Sequence, residues 1–115
     1  MKNHIQLDID HSEKARVEHF LNSVDGSLVQ VPFNPRELSH VDDRLSGFKF
    51  KVEGHDTFVL VIFATSYFHA DEIRMANSAT TPRIYWTING SILFGVESED
   101  NESVNEILSL FAGKE

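Results

Sequence analysis

The sequence predicts one α+β domain: a single layer of five to six mainly antiparallel strands with two main helices packed on one face. Three observations carry this. Short segments alternate strictly between apolar and polar residues, an Asn-Gly pair separates two strand-like runs, and two stretches repeat apolar residues at helical spacing. At 115 residues the chain suits a single core over 1–115, since two domains would each be too small. A composition of 41% hydrophobic and 24% charged residues is that of a folded globular chain rather than a disordered one.

From His4 to Asp10, Ile5, Leu7 and Ile9 alternate with polar residues, the period of a half-buried first strand. Asp10 or Ser12 then offers a cap for a helix carrying Val17, Phe20, Leu21 and Val24, stopped by Asp25-Gly26. Leu28 to Phe33 reads as a strand. Asn34-Pro35 opens a helical turn in which Leu38, Val41 and Leu45 share a stripe. Phe48, Phe50 and Val52 alternate with Lys49, Lys51 and Glu53, and the Gly54-His55-Asp56 turn leads into the continuous apolar run from Phe58 to Phe63, forming a hairpin.

Ala64 to Thr81 fits neither period, so only a short helix around Asp71 to Ala76 is expected, with a loop over residues 77–82. Arg83 to Ile88 and Ser91 to Glu97 flank Asn89-Gly90, the pair suited to a two-residue type I′ turn. Asp100 or Asn101 caps a last helix through Val104, Ile107, Leu108 and Phe111, ending at Gly113.

The central strands carry apolar residues on both sides. Tyr85, Thr87, Ile92, Phe94 and Val96 fall on one face, and Ile84, Trp86, Ile88 and Leu93 on the other. Two long helices cover one face and no third is foreseen. Each large apolar side chain left in water forgoes about 1.5–3 kcal/mol, so the second face predicts a homodimer or a ligand cavity. The alternative is that the 64–81 segment, or the turn from Asn34 to Leu45, folds back as a lid.

With a formal charge of -8 and scattered Lys and Arg, the chain is expected to repel phosphate backbones, which argues against nucleic acid. The first residues reach acids before any long apolar run, so no secretory signal or membrane anchor is expected, and cytoplasmic residence follows. The absence of cysteine removes disulfides, thiolate metal sites and cysteine nucleophiles.

No phosphate-binding glycine loop, His-Glu-x-x-His helix, nucleophile elbow or EF-hand loop is present, and no cofactor is expected. His4, Asp8, Asp10 and His11 could converge on a divalent cation, but a solvated strand face explains them as well, with Lys49 or Lys51 opposite if the strands pair; no metal is expected. Tyr67, His69, Asp71, Glu72 and Arg74 follow the most apolar strand, where a loop can hold an acid or base at a cavity mouth. Asp71 and Glu72 equally suit a first helical turn.

His69 and Asp71 are therefore the catalytic candidates, and Tyr67, Phe68, Tyr85 and Trp86 the ligand-binding candidates. The acids Glu97, Glu99, Asp100 and Glu102 either meet a basic partner or favour the dipole of the following helix. His19, His40 and His55 share no ligand spacing. The leading expectation is a non-catalytic binding or interaction domain, homodimeric, taking a small molecule or a protein. The alternatives are a small cofactor-independent hydrolase or isomerase and an acidic inhibitor of a basic protein.

Overall fold

A computed structural model describes residues 3–41 and 44–112. The elements are α1 (Lys14–Asn22), β1 (Leu28–Val31), a single 3₁₀ turn (Pro35–Glu37), β2 (Ser46–Val52), β3 (Phe58–Phe63), α2 (Tyr67–Thr80), β4 (Ile84–Asn89), β5 (Ile92–Glu97) and α3 (Asn101–Phe111). The strands form one sheet in the order β1-β2-β3-β5-β4, antiparallel at every junction. The α+β class and the antiparallel sheet are as the alternation predicts.

One sheet face carries Phe50, Val59, Val61, Phe63, Ile92, Phe94 and Val96. It is buried by Val17 and Leu21 of α1, Val104, Ile107 and Phe111 of α3, and Leu7 of the amino-terminal segment. Phe111 stacks on Phe94 at 4.4 Å between ring centroids, and Phe20 meets the same ring edge-on. These are the two helices expected on one face. The side chain of Asp100 caps α3 by accepting from Glu102 N. The expected stop at Gly113 lies outside the described residues.

The other face is also covered. Leu60, Ile62 and Leu93 pack under Ala70 and Ile73 of α2 and under Leu38 and Val41, with Phe33, Leu45, Ile84, Trp86 and Ile88 around them. The expected short helix at 71–76 is in fact 14 residues long, and it takes in most of the expected 77–82 loop. Asn77 explains the extension. Fully buried, its side chain donates to Ser39 O and Ile73 O and accepts from Ser39 N, so a polar residue sits in a packed face with its bonding satisfied. Both segments foreseen as possible lids therefore serve together, and the bare sheet face that motivated a dimer or ligand cavity is filled by the chain itself.

The amino-terminal segment departs from expectation as well. Leu7 is buried, Ile5 and Ile9 are half-buried and their neighbours are exposed, so the burial alternates as read, yet no strand forms. Side chains of α1 take the place of a neighbouring strand: Ile5 N donates to Asn22 Oδ1 at 2.6 Å and Leu7 N to Glu18 Oε2 at 2.7 Å. Asp10 and Ser12 do not cap α1, which begins after Glu13 with no side-chain cap. β1 stops at Val31 because Pro32 follows, and the turn after Asn34 is 3₁₀ rather than α-helical.

The β4–β5 hairpin forms one register step away from expectation. Asn89 pairs with Ile92, so the loop is Gly90-Ser91. Gly90 has φ +66°, and Ser91 is not among the described residues with positive φ. One positive φ at the first loop position fits a type II′ turn, not I′. Asn89 is free to act as a clasp: Oδ1 accepts from Arg16 Nη1 at 2.5 Å and Nδ2 donates to Phe111 O at 2.9 Å, joining α1 and α3 to the end of β4.

Candidate functional site

α2 follows β3 directly. Ser66 caps it by accepting from His69 N, and the stripe Ala70, Ile73 and Asn77 turns onto the sheet. The outer side is unusual: Phe68 is 82% exposed, Met75 62% and Tyr67 54%. Tyr67 and Phe68 meet edge-to-face at 5.8 Å. Beside them lies a shallow groove of about 810 Å³, lined by His40, Phe68, His69, Glu72 and Met75 among others. His40 holds a backbone φ of +65°, a conformation few side-chain-bearing residues adopt, and it brings the 33–41 segment to the groove wall.

His69 and Asp71 also line this groove, but each has a structural engagement. His69 Nδ1 accepts from Thr65 N at 3.1 Å and lies 2.9 Å from Thr65 Oγ1, bracing the turn into α2. Asp71 Oδ1 accepts from Arg74 Nε and Nη2 one turn on. Residues two apart on a helix do not face each other, so the pair forms no acid–base dyad.

The four ligand-binding candidates divide into two pairs. Tyr67 and Phe68 sit at the start of α2. Tyr85 and Trp86 sit on β4 beside a separate cleft of about 230 Å³ that also touches Arg74, Ser78, Pro82 and Ile84. Tyr85 pairs with Val96 and leans to the α1–α3 face, whereas Trp86 lies on the α2 face directly over Gly95, where a Cβ would stand 2.6 Å from Cζ3. Trp86 Nε1 is buried with no acceptor among the described residues.

A third concavity, of about 660 Å³ and more enclosed than the α2 groove, escaped the sequence reading. Val52, Ile107 and Leu110 lie among the residues lining it, with Asp25, His55 and Glu106 also on its wall. Its residues come from α1's exit, the β2–β3 turn and α3, which no local spacing links. Close by, Ser103 Oγ donates to Asp100 and holds that carboxyl below its usual range, helped by the Glu102 and Ser103 amides and the charge of His55.

Among the described residues no three His, Asp or Glu gather as a cation site, and His4, Asp8 and Asp10 are exposed. The pairing imagined between that segment and β2 does not form, because β2 lies between β1 and β3; Lys49 instead places its ammonium 4.8 Å from the Phe58 ring centroid. No described helix is long and apolar enough to cross a membrane. Comparison with protein-family models, with curated proteins and with solved structures finds no match.

Proposed function

We propose that this chain is a non-catalytic, cytoplasmic interaction domain, homodimeric, that binds a protein partner through the exposed apolar ridge of α2. The observation that carries the reading is Phe68: a phenylalanine four-fifths in water, next to Tyr67 and near Met75, on a helix whose opposite side is fully used in the core. Covering such a side chain recovers about 1.5–3 kcal/mol, and aromatics and methionine are the residues that interfaces concentrate.

The groove's acids define the partner's chemistry. Glu72 lies beside Phe68 and Met75, and the chain carries a net charge of -8, so the fitting occupant is an amphipathic helix with apolar anchors flanked by Lys or Arg. The same charge supports a role without nucleic acid. The hydrolase or isomerase alternative has less support, since His69 is braced by Thr65 and Asp71 by Arg74.

An amide-shift titration of the isotope-labelled chain with a Lys/Leu amphipathic helical peptide tests the reading. Shifts confined to 67–76 and the neighbourhood of His40 are expected, with affinity falling roughly tenfold or more in Phe68→Ser. Shifts centred elsewhere, or an unchanged affinity in the variant, would overturn it.

A further inference from the structure

The sheet has two edges, β1 and β4, and they are treated differently. An edge strand presents a row of outward N–H and C=O groups, which folded proteins normally blunt with proline, charge or a covering contact. The ladder phase follows from the hairpin. A two-residue loop closed by Asn89 and Ile92 makes that pair hydrogen-bonded, as it does Thr87 with Phe94 and Tyr85 with Val96; the backbone groups of Ile84, Trp86 and Ile88 therefore point outward. The bonds from Ala64 N to Ser91 O and from Val52 N to Thr57 O carry the same alternation across the sheet.

On β1 the outward positions in this phase are Leu28 and Gln30, followed by Pro32. Leu28 N donates to Asn3 Oδ1 at 2.8 Å, and Pro32 has no N–H to offer. That edge is blocked at both ends.

β4 is guarded only at its start, where Pro82 and Arg83 precede the strand. Ile84–Asn89 contains no charge, no proline and no bulge, in a chain of net charge -8. Ile84 N is taken by Thr81 O, but the outward groups of Trp86 and Ile88 have no partner among the described residues. Tyr85 is 43% exposed along this edge.

The strand also reads nearly the same in both directions about its centre, Ile-Tyr-Trp-Thr-Ile over residues 84–88. An antiparallel two-fold at Trp86 sets Ile84 against Ile88 on one face and Tyr85 against the smaller Thr87 on the other. We propose that a second copy of this chain docks on β4 in this register, producing one continuous ten-stranded sheet. Trp86 N–H then donates to the C=O of the partner's Trp86 and Ile88 N–H to that of the partner's Ile84, each reciprocally. A self-complementary patch is what a two-fold interface requires, and an uncharged strand is where two acidic chains can approach. This rests on the homodimeric part of the reading above and names its surface; the α2 groove is separate from it.

Sedimentation velocity on the full chain, from one to several hundred micromolar, tests the proposal together with two charge variants. Tyr85 faces Thr87 of the other copy, so Tyr85→Lys/Thr87→Lys sets like charges opposite each other twice, whereas Tyr85→Lys/Thr87→Glu sets opposite charges there. The expected result is a wild-type dimer, a dissociation constant raised roughly tenfold or more in the Lys/Lys variant, and recovery in the Lys/Glu variant. A second measurement does not depend on those variants folding: the chain has no cysteine, so Tyr85→Cys mixed with Thr87→Cys should give a disulfide-linked dimer faster than either alone. A wild-type chain that stays monomeric, a dimer indifferent to Lys/Lys, or crosslinking of Tyr85→Cys alone as fast as the mixture overturns the proposal. Each of these outcomes leaves the peptide titration of α2 to stand or fall by itself.

Discussion

Replacing Asn77 should detach the cover of the second sheet face more than any other single polar change. Its amide makes two bonds to the backbone of Ser39, both 2.9 Å, and one to Ile73 O at 2.8 Å, in a site with no exposure. The bond to Ile73 is local to the helix. The two to Ser39 hold the 33–41 segment against α2, and each contributes about 0.5–1.5 kcal/mol net. Asn77→Ala also leaves the Ser39 amide and carbonyl without their partner and a small void above the sheet, so a loss of about 2–4 kcal/mol is expected. Urea unfolding followed by the fluorescence of Trp86, the only tryptophan, measures it. The midpoint should fall while the slope stays the same, because the surface exposed on unfolding is unchanged.

Asn77→Asp separates the hydrogen-bond account from a packing account, since the shape is conserved. The acceptor to Ser39 N remains, but an ionised carboxylate would face the carbonyls of Ser39 and Ile73. Burial and that repulsion raise its folded pKa above the unfolded value of about 3.9. The penalty is therefore absent well below about pH 3.9, where the acid is protonated in both states, and it grows as pH rises toward the folded pKa. A loss below about 0.5 kcal/mol for Asn77→Ala, or an Asn77→Asp deficit independent of pH, would refute the clamp.

Gly95→Ala drives a methyl into the Trp86 ring and toward Ile84, and should cost about 1–3 kcal/mol in the same unfolding assay, with partial recovery when Trp86→Leu is added. Phe68→Ser should leave stability within about 0.5 kcal/mol of wild type, since the ring is already in water. The Asp100 carboxyl should titrate below its ordinary value of 3.8 by NMR. Its depressed folded pKa means that its contribution is present above the unfolded value and is lost as pH falls through the folded one, so Asp100→Asn should flatten stability against pH in that acid window. Asn89→Ala unfastens Arg16 and the end of α3 from β4 and should cost about 1–3 kcal/mol.

How far the residues disclosed this fold depends on what satisfied their polar groups. α3 was legible because each signal is local: Asp100 caps, and Val104, Ile107 and Phe111 turn inward at helical spacing. α2 was not, because its inward stripe is Ala70, Ile73 and Asn77, while Phe68 and Met75 point out. A reader of hydrophobic period sees the outward residues as misplaced and Asn77 as a loop signal. Only the backbone of Ser39, 38 positions away, makes that asparagine a core residue. The amino-terminal segment fails in the reverse sense. Its alternation reported burial correctly but not the partner, since Asn22 and Glu18 imitate the edge of a strand.

The candidate site obeys the same logic. Tyr67, Phe68, His69 and Asp71 were visible as a cluster because they are contiguous, but their meaning changed once α2 proved long enough to close the sheet. Apolar surplus on the strands then stopped being a reason for a partner, and apolar surplus on the outer side of α2 became one. The two edges sharpen this further. Asn3 and Pro32 close β1 at both ends where the strand is only four residues long, while the longer, uncharged β4 is closed at its start alone and keeps the outward amides of Trp86 and Ile88 bare. The open stretch is the part of β4 centred on Trp86, where the sequence is near-palindromic, so that is the place where a second copy is to be sought.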